Sequence, residues 1–390
     1  MLPSRCGIRA LLASLFCLSA LAAQGQSKQL EAEAGLRQLP SASPRTNSLA
    51  SRHSLQERQE ADTALASGTL TTLPHWQGSY SIGNKRYQYT VLGGNPGAGG
   101  TTEIKTLIVP VRLTISDYTE NGQTPLVLDA TRVTGQILAS PIFRRSYYIT
   151  GFQQFGDAML RAEFPEAAAN WHTILKPSIG RTMDITVAAG ASQIFHSTSG
   201  KLLAVVSDNA IDDPIFAAMK SGKYPPDQYV IFVTYNALEE DAFGYHDAVF
   251  REGKREENVF TYTSWLEDVD DLFTIPSPDT ATLSHEVAET IHDAFLGKLS
   301  SRTLLWGDPF NDNQCFQSYI EVGDAVEDAP THIQLHRQVV GTGRNAQIFT
   351  LQNEALLQWF ERKSPSDALA GAYSFPDTWI LPDPAPLTCK

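Results

Sequence analysis

The sequence predicts an α+β fold: a mixed sheet that carries one functional helix, preceded by a β-rich N-terminal part. Three stretches predict it. Ile104–Ile115 (IKTLIVPVRLTI) and Tyr229–Tyr235 (YVIFVTY) are apolar, β-branched runs with the texture of buried strands. Thr280–Lys298 (TATLSHEVAETIHDAFLGK) switches to a helical period, with Val287, Ile291 and Phe295 on one stripe expected to pack on the sheet. Strand signals dominate before about residue 200, and strands and helices mix after it. The expected organisation is therefore a β-rich part over 76–200 and an α+β part over 201–390, or one continuous domain, since no clear linker separates them.

The N-terminus reads as a signal for export. Residues 1–23 open with Arg5 and Arg9, continue in an apolar run from Ala10 to Leu18, and end in small residues. That run is too short to span a bilayer, and Leu15-Phe16 lacks the small residue that a lipid-modified Cys17 would require. Residues 24–75 are polar and rich in Ser, Ala, Gln and Glu, as in a disordered or loosely helical leader or propeptide.

The elements then follow in order. Ser79–Leu92 is a hairpin turning at Gly83-Asn84, and Gly93–Gly100 a loop without the Gly-Lys-Ser/Thr ending of a phosphate cradle. Pro110 marks an edge or a bulge in the strand around it. Leu126–Leu128, Thr182–Ala188 and Leu202–Val206 read as strands, and Gln153–Phe164 as a helix with its apolar face in the core. Asp212–Met219 is expected to be a short helix capped by Asp212 or Asp213 and opened by Pro214. A charged loop over Arg251–Asn258 leads to the strand Val259–Trp265. Asn353–Lys363 is a last helical candidate.

Composition removes several function classes. The chain has 390 residues and a formal charge of −13, which becomes more negative once the two arginines of residues 1–23 are removed. An acidic chain without clustered Lys and Arg is not built for nucleic acid. No membrane association is expected after signal cleavage. Of four cysteines, Cys6 and Cys17 lie in the signal segment. The remaining Cys315 and Cys389 suit one disulfide in an oxidising compartment, and too few remain for a four-cysteine zinc site. There is no Gly-x-Ser-x-Gly elbow for a serine hydrolase.

The chemistry concentrates at His285-Glu286-Val287-Ala288-Glu289. Residues four apart stack on one helix face, so His285 and Glu289 can offer an imidazole and a carboxylate to one ion. Glu286, about 100° away around the helix, stands where the HExxH helix of metallopeptidases carries its general base. Two ligands are too few for zinc, which takes three protein ligands and a water at catalytic sites. Asp293 and His292 lie about 12 Å and 10 Å further along a regular helix, so they join only if the chain turns. Glu321 approaches from a separate segment and is the expected third ligand. Asp324 is either a ligand or an acceptor for the His285 ring N–H. His246 is a further candidate, and Tyr245, His246 or His292 are candidates to stabilise an oxyanion. The expected ion is Zn2+; the carboxylate-rich shell also suits a harder ion such as Ca2+.

Three of these elements, Gly244-Tyr245-His246, Ser284–Asp293 and Glu321-Val322-Gly323-Asp324 near Cys315, together resemble a group of secreted bacterial HExxE proteins. That group shares a Gly-Tyr-His element, a Ser-His-Glu-x-x-Glu-Ala-x-Thr-Asp-Pro helix and a Glu-Ile-Gly-Asp segment near a cysteine. It is similar in turn to the plant phosphate-induced, exordium-like extracellular proteins. The likeness covers about Tyr229–Asp324 and is weaker over Trp76–Ile115; Thr290, His292 and Ala294 depart from its pattern. It implies export and a zincin-like fold. The expected function is metal-assisted hydrolysis of a peptide or protein substrate with Glu286 as base. The alternative is a non-catalytic protein that binds a cell-wall or other extracellular polymer and keeps a structural metal.

Overall fold

A computed structural model describes residues 55–119, 125–251, 253–295, 301–307, 309–310, 318–327, 329 and 334–384. The signal segment, the leader up to residue 54 and both Cys315 and Cys389 lie outside the described residues. The protein is a mixed α+β structure with several sheets. No described helix is long and apolar enough to cross a membrane.

In chain order, α1 (Leu55–Ala66) leads to the hairpin β1 (His75–Ile82) and β2 (Lys85–Leu92). Between them Thr71 bonds to the backbone on both sides of Glu256, and Leu73 is buried in the main core. Next come β3 (Thr101–Ile115), β4 (Leu126–Asp129), α2 (Thr134–Ala139), β5 (Ser146–Tyr148), β6 (Gly151–Gln153) and α3 (Phe155–Glu163). Four strands, β7 (His172–Ile179), β8 (Met183–Val187), β9 (Ser192–His196) and β10 (Leu202–Val206), precede α4 (Asp208–Lys220). Then follow β11 (Gln228–Tyr235), β12 (Ala237–Glu239), β13 (Gly244–Arg251), β14 (Glu256–Trp265) and α5 (Ala281–Asp293). The last elements are α6 (Asp324–Glu327), β15 (Leu335–Val340), β16 (Gln347–Gln352), β17 (Glu354–Ala355), α7 (Leu357–Phe360) and β18 (Ser374–Phe375).

The principal sheet has seven strands, running β13-β14-β11-β3-β4 with β7 and β8 also paired to β3. Strand alternation explains why β11 is apolar throughout. Tyr229, Ile231 and Val233 point into the core shared with α5, while Val230 and Phe232 point into a second core with Ile211, Ile215 and Phe216 of α4. The sheet is thus covered on both faces. Val287 and Ile291 of α5, with Phe295 just after its end, belong to the first core together with Ile231, Val233 and Val259 of the sheet, as their period predicts.

Three sequence expectations need correction. Pro110 lies inside a central strand, not at an edge. It sits at a junction, because β3 pairs with β7 only up to Ile108 and with β11 up to Pro110, then with β8 from Val111 and β4 from Arg112. A residue without an N–H fits where the hydrogen-bonding neighbours change. Pro214 does not open its helix either. Helix α4 begins at Asp208 after Ser207, and Pro214 lies within it on the half-exposed side, along with Ala210, whose carbonyl it leaves without an intrahelical donor. Asp212 is no cap: it is buried and accepts a hydrogen bond from Tyr245. Finally, Asn353–Lys363 holds one helical turn, α7, and Glu354–Ala355 forms a strand against β18.

Candidate metal centre

Helix α5 is entirely buried, which is unusual for a segment with so many polar side chains. Its neighbours satisfy several of them. Asp279, in a left-handed conformation (φ 44°), accepts from the Thr350 N–H and hydroxyl and so pins β16 to the helix start. Ser284 Oγ accepts from Gln352 N at 2.8 Å. On the sheet side, Thr290 Oγ1 donates to the Glu286 carbonyl and meets Thr261 Oγ1 at 2.9 Å and Tyr229 Oη at 3.1 Å. The helix therefore rests on β11 and β14 at this point through three hydroxyls.

This clamp fixes the rotation of α5, and the HExxE residues face a cluster assembled from three directions. Strand β13 contributes His246. Period-two alternation sends Tyr245 to the opposite face, where its hydroxyl donates to Asp212 Oδ1 at 2.5 Å. Tyr245 is thereby removed from the chemistry the sequence offered it. Gly244 lies beside Glu286: a Cβ there would stand 2.8 Å from Glu286 Cγ and from the Tyr262 carbonyl. The segment Glu321–Asp324 arrives from the other side. Its Gly323 and Asp324 N–H groups donate to Glu289 Oε1 at 3.1 and 3.3 Å, and Gln352 Nε2 donates to the Gly323 carbonyl at 2.9 Å. Gly323 is required by space, since a Cβ would fall 2.4–2.6 Å from the His285 ring.

The result is two triads that share Glu289: His285–Glu289–Asp324 and His246–Glu289–Glu321, all buried, with ligand atoms within 4.8 Å of one another. His285 Nε2 is 3.2 Å from Glu289 Oε2, 3.6 Å from Asp324 Oδ1 and 4.0 Å from Glu286 Oε1. His246 Nδ1 is 3.5 Å from Glu289 Oε2 and 3.7 Å from Glu286 Oε2, and its Nε2 is 3.9 Å from Glu321 Oε2. So His285 and Glu289 come together as the spacing predicts. Asp324 completes their group, and the expected third ligand Glu321 faces His246.

These separations can be read against the protein's other imidazole–carboxylate pairs. His292–Glu163, equally buried, closes to 2.8 Å; His172–Asp157 closes to 2.9 Å and His336–Asp377 to 3.1 Å. A pair that only hydrogen-bonds closes to that distance. Ligands around one tetrahedral zinc, each about 2.1 Å from it, stand about 3.4 Å apart. In the cluster, His285–Asp324 at 3.6 Å and His246–Glu289 at 3.5 Å lie near the second spacing, while His285–Glu289 at 3.2 Å is also within hydrogen-bonding reach. His246 Nε2, His285 Nδ1 and Glu286 Oε2 also lack any hydrogen bond despite burial. The donor set of imidazole and carboxylate fits Zn2+ or a harder divalent ion.

Electrostatics points the same way. Burial alone pushes the His246 imidazole down, but Glu321, Glu286 and Glu289 outweigh it and hold it well above the ordinary histidine value. Burial and then Glu289 act on His285 with the same outcome. Glu289 is depressed despite its burial, because His285 and His246 flank it. Burial, reinforced by Glu289, raises Glu321 and Asp324 well above the carboxylate range. Glu354 of β17, fully buried with neither oxygen hydrogen-bonded, is raised by burial as well, with His285 opposing. Five carboxyl groups thus crowd two imidazoles.

The remaining candidates are placed elsewhere. His292 donates from Nδ1 to the Ala288 carbonyl at 2.7 Å and pairs through Nε2 with Glu163, which also accepts from Leu357 N. It ties α5 to α3 and α7. Asp293 Oδ1 accepts from Ser301 N, its Oδ2 is unbonded, and burial pushes it up to about 7. Gln352 and Glu354 escaped sequence reasoning: Glu354 fell inside the helical candidate 353–363, and Gln352 lay outside every motif. Comparison with protein-family models, characterised proteins and solved structures finds no match.

Proposed function

We propose that the chain is a secreted, zincin-like metallohydrolase that cleaves peptide bonds, with His285, Glu289 and Asp324 holding the ion and Glu286 acting as general base. The observation that carries this reading is the buried convergence of His285, Glu289 and Asp324, with His285 Nε2 at 3.2 Å from Glu289 Oε2 and 3.6 Å from Asp324 Oδ1 and with His285 Nδ1 and Glu286 Oε2 left without hydrogen bonds. When bound, the ion supplies Lewis acidity toward a scissile carbonyl and toward water. Glu286 shares α5 with His285 and Glu289, and its Oε2 is buried without a hydrogen bond. It accepts the proton of the attacking water and returns it to the leaving amine. Glu289 is held by two backbone N–H groups through Oε1, which leaves Oε2 oriented for the ion. His285 is seated by the lack of a side chain at Gly323.

A second reading, a structural ion in a non-catalytic protein that binds an extracellular polymer, is favoured by one observation. His285 and Glu286 are only 2% exposed and Asp324 7%, which leaves a substrate little access to them. Glu286→Gln separates the two. Under the hydrolase reading it lowers cleavage of a peptide library by about 10²–10⁴-fold and leaves metal content unchanged. Native protein that carries metal but cleaves no peptide supports the structural reading.

A further inference from the structure

We propose that the cluster holds two divalent cations that share Glu289, one on His285 and Asp324 and the second on His246 and Glu321. This rests on the metal-binding reading above and extends it to a second site. The two triads have one residue in common and draw their other four from β13, α5 and the Glu321–Asp324 segment. Glu289 is suited to be the shared group. Its Oε1 is occupied by Gly323 and Asp324 N–H, its Oε2 lies 3.2 Å from His285 Nε2, and Glu289 also offers a carboxylate oxygen within 4.8 Å of one ligand atom each of His246 and Glu321.

His246 carries the argument for the second ion. It is 4% exposed, and its Nε2 makes no hydrogen bond although Glu321 Oε2 stands 3.9 Å away. The buried His292–Glu163 pair, by contrast, closes to 2.8 Å. The wider gap is that of two groups facing one ion. Charge argues likewise. As ligands the imidazoles are neutral, and Glu286, Glu289, Glu321, Asp324 and Glu354 then share one buried space. Where those groups are ionised as ligands, two dications offset twice the charge that one does.

The test is stoichiometry. The full chain is stripped with dipicolinate, reloaded with Zn2+ alone, dialysed and analysed by atomic emission, with near-UV circular dichroism as the check of folding. Two zinc ions per chain are expected, falling to one in His246→Ala and in the near-isosteric Glu321→Gln. One zinc ion in the native chain, or two retained in a folded variant of either kind, overturns the second site. No retained zinc at all overturns instead the metal reading on which it stands. If neither variant folds, the native stoichiometry decides alone.

Discussion

Gly323 is the residue on which the centre's geometry turns. It carries no Cβ where one would lie 2.4 Å from His285 Nδ1, and its N–H holds Glu289 Oε1 at 3.1 Å. Gly323→Ala must push the His285 ring or the Glu321–Asp324 segment out of place. Changes to the groups that orient metal ligands cost about 10–100-fold in affinity, and a loss of that size is expected here in a zinc competition assay with a chromophoric chelator. Unchanged affinity would mean that the ring position is unimportant. His285, Glu286 and Glu289 were legible from sequence because a helix converts spacing into direction. Asp324 and Glu321 were not separable, because a loop has no period. Their sorting depends on the Gly323 and Asp324 N–H bonds to Glu289, which return Asp324 to His285 and leave Glu321 to His246.

At the scale of elements, the apolar period of α5 predicted its membership of the core, but not that its contact with β11 and β14 is polar at Thr290. A hydroxyl trio of Thr290, Thr261 and Tyr229 has no signature in hydropathy. Thr290→Val keeps shape and removes the hydroxyl, which leaves buried partners short of a bond. The cost is about 1–3 kcal/mol, seen as a lower urea midpoint with the slope unchanged; an unaltered midpoint would contradict the clamp. The strands β3 and β11 were legible because both faces of a central strand are apolar. The exchange of partners at Pro110 was not, because proline reports a missing donor and cannot say whether an edge or a junction excuses it. Likewise β17, which carries Glu354, was hidden under the helical reading of 353–363, and β16, which carries Gln352, was not singled out.

For the whole molecule, one buried cluster joins β13, α5 and the Glu321–Asp324 segment, with β16 bonded to both of the latter through Gln352. An ion that binds only the folded chain stabilises it by mass action, by about 4 kcal/mol at a thousand times its dissociation constant. Adding a chelator is therefore expected to lower the melting temperature, and equal melting with and without it would argue against any ion in the core. Order along the chain, a mixed sheet followed by the HExxE helix, was readable; the convergence of distant segments on Glu289 was not.

Glu289 gives the most direct test, because both triads pass through it. Glu289→Ala should bring the metal content of the purified, folded protein to zero, whether the native chain holds one ion or two. A folded Glu289→Ala protein that keeps its full metal content would show that the ion, if present, is bound somewhere else.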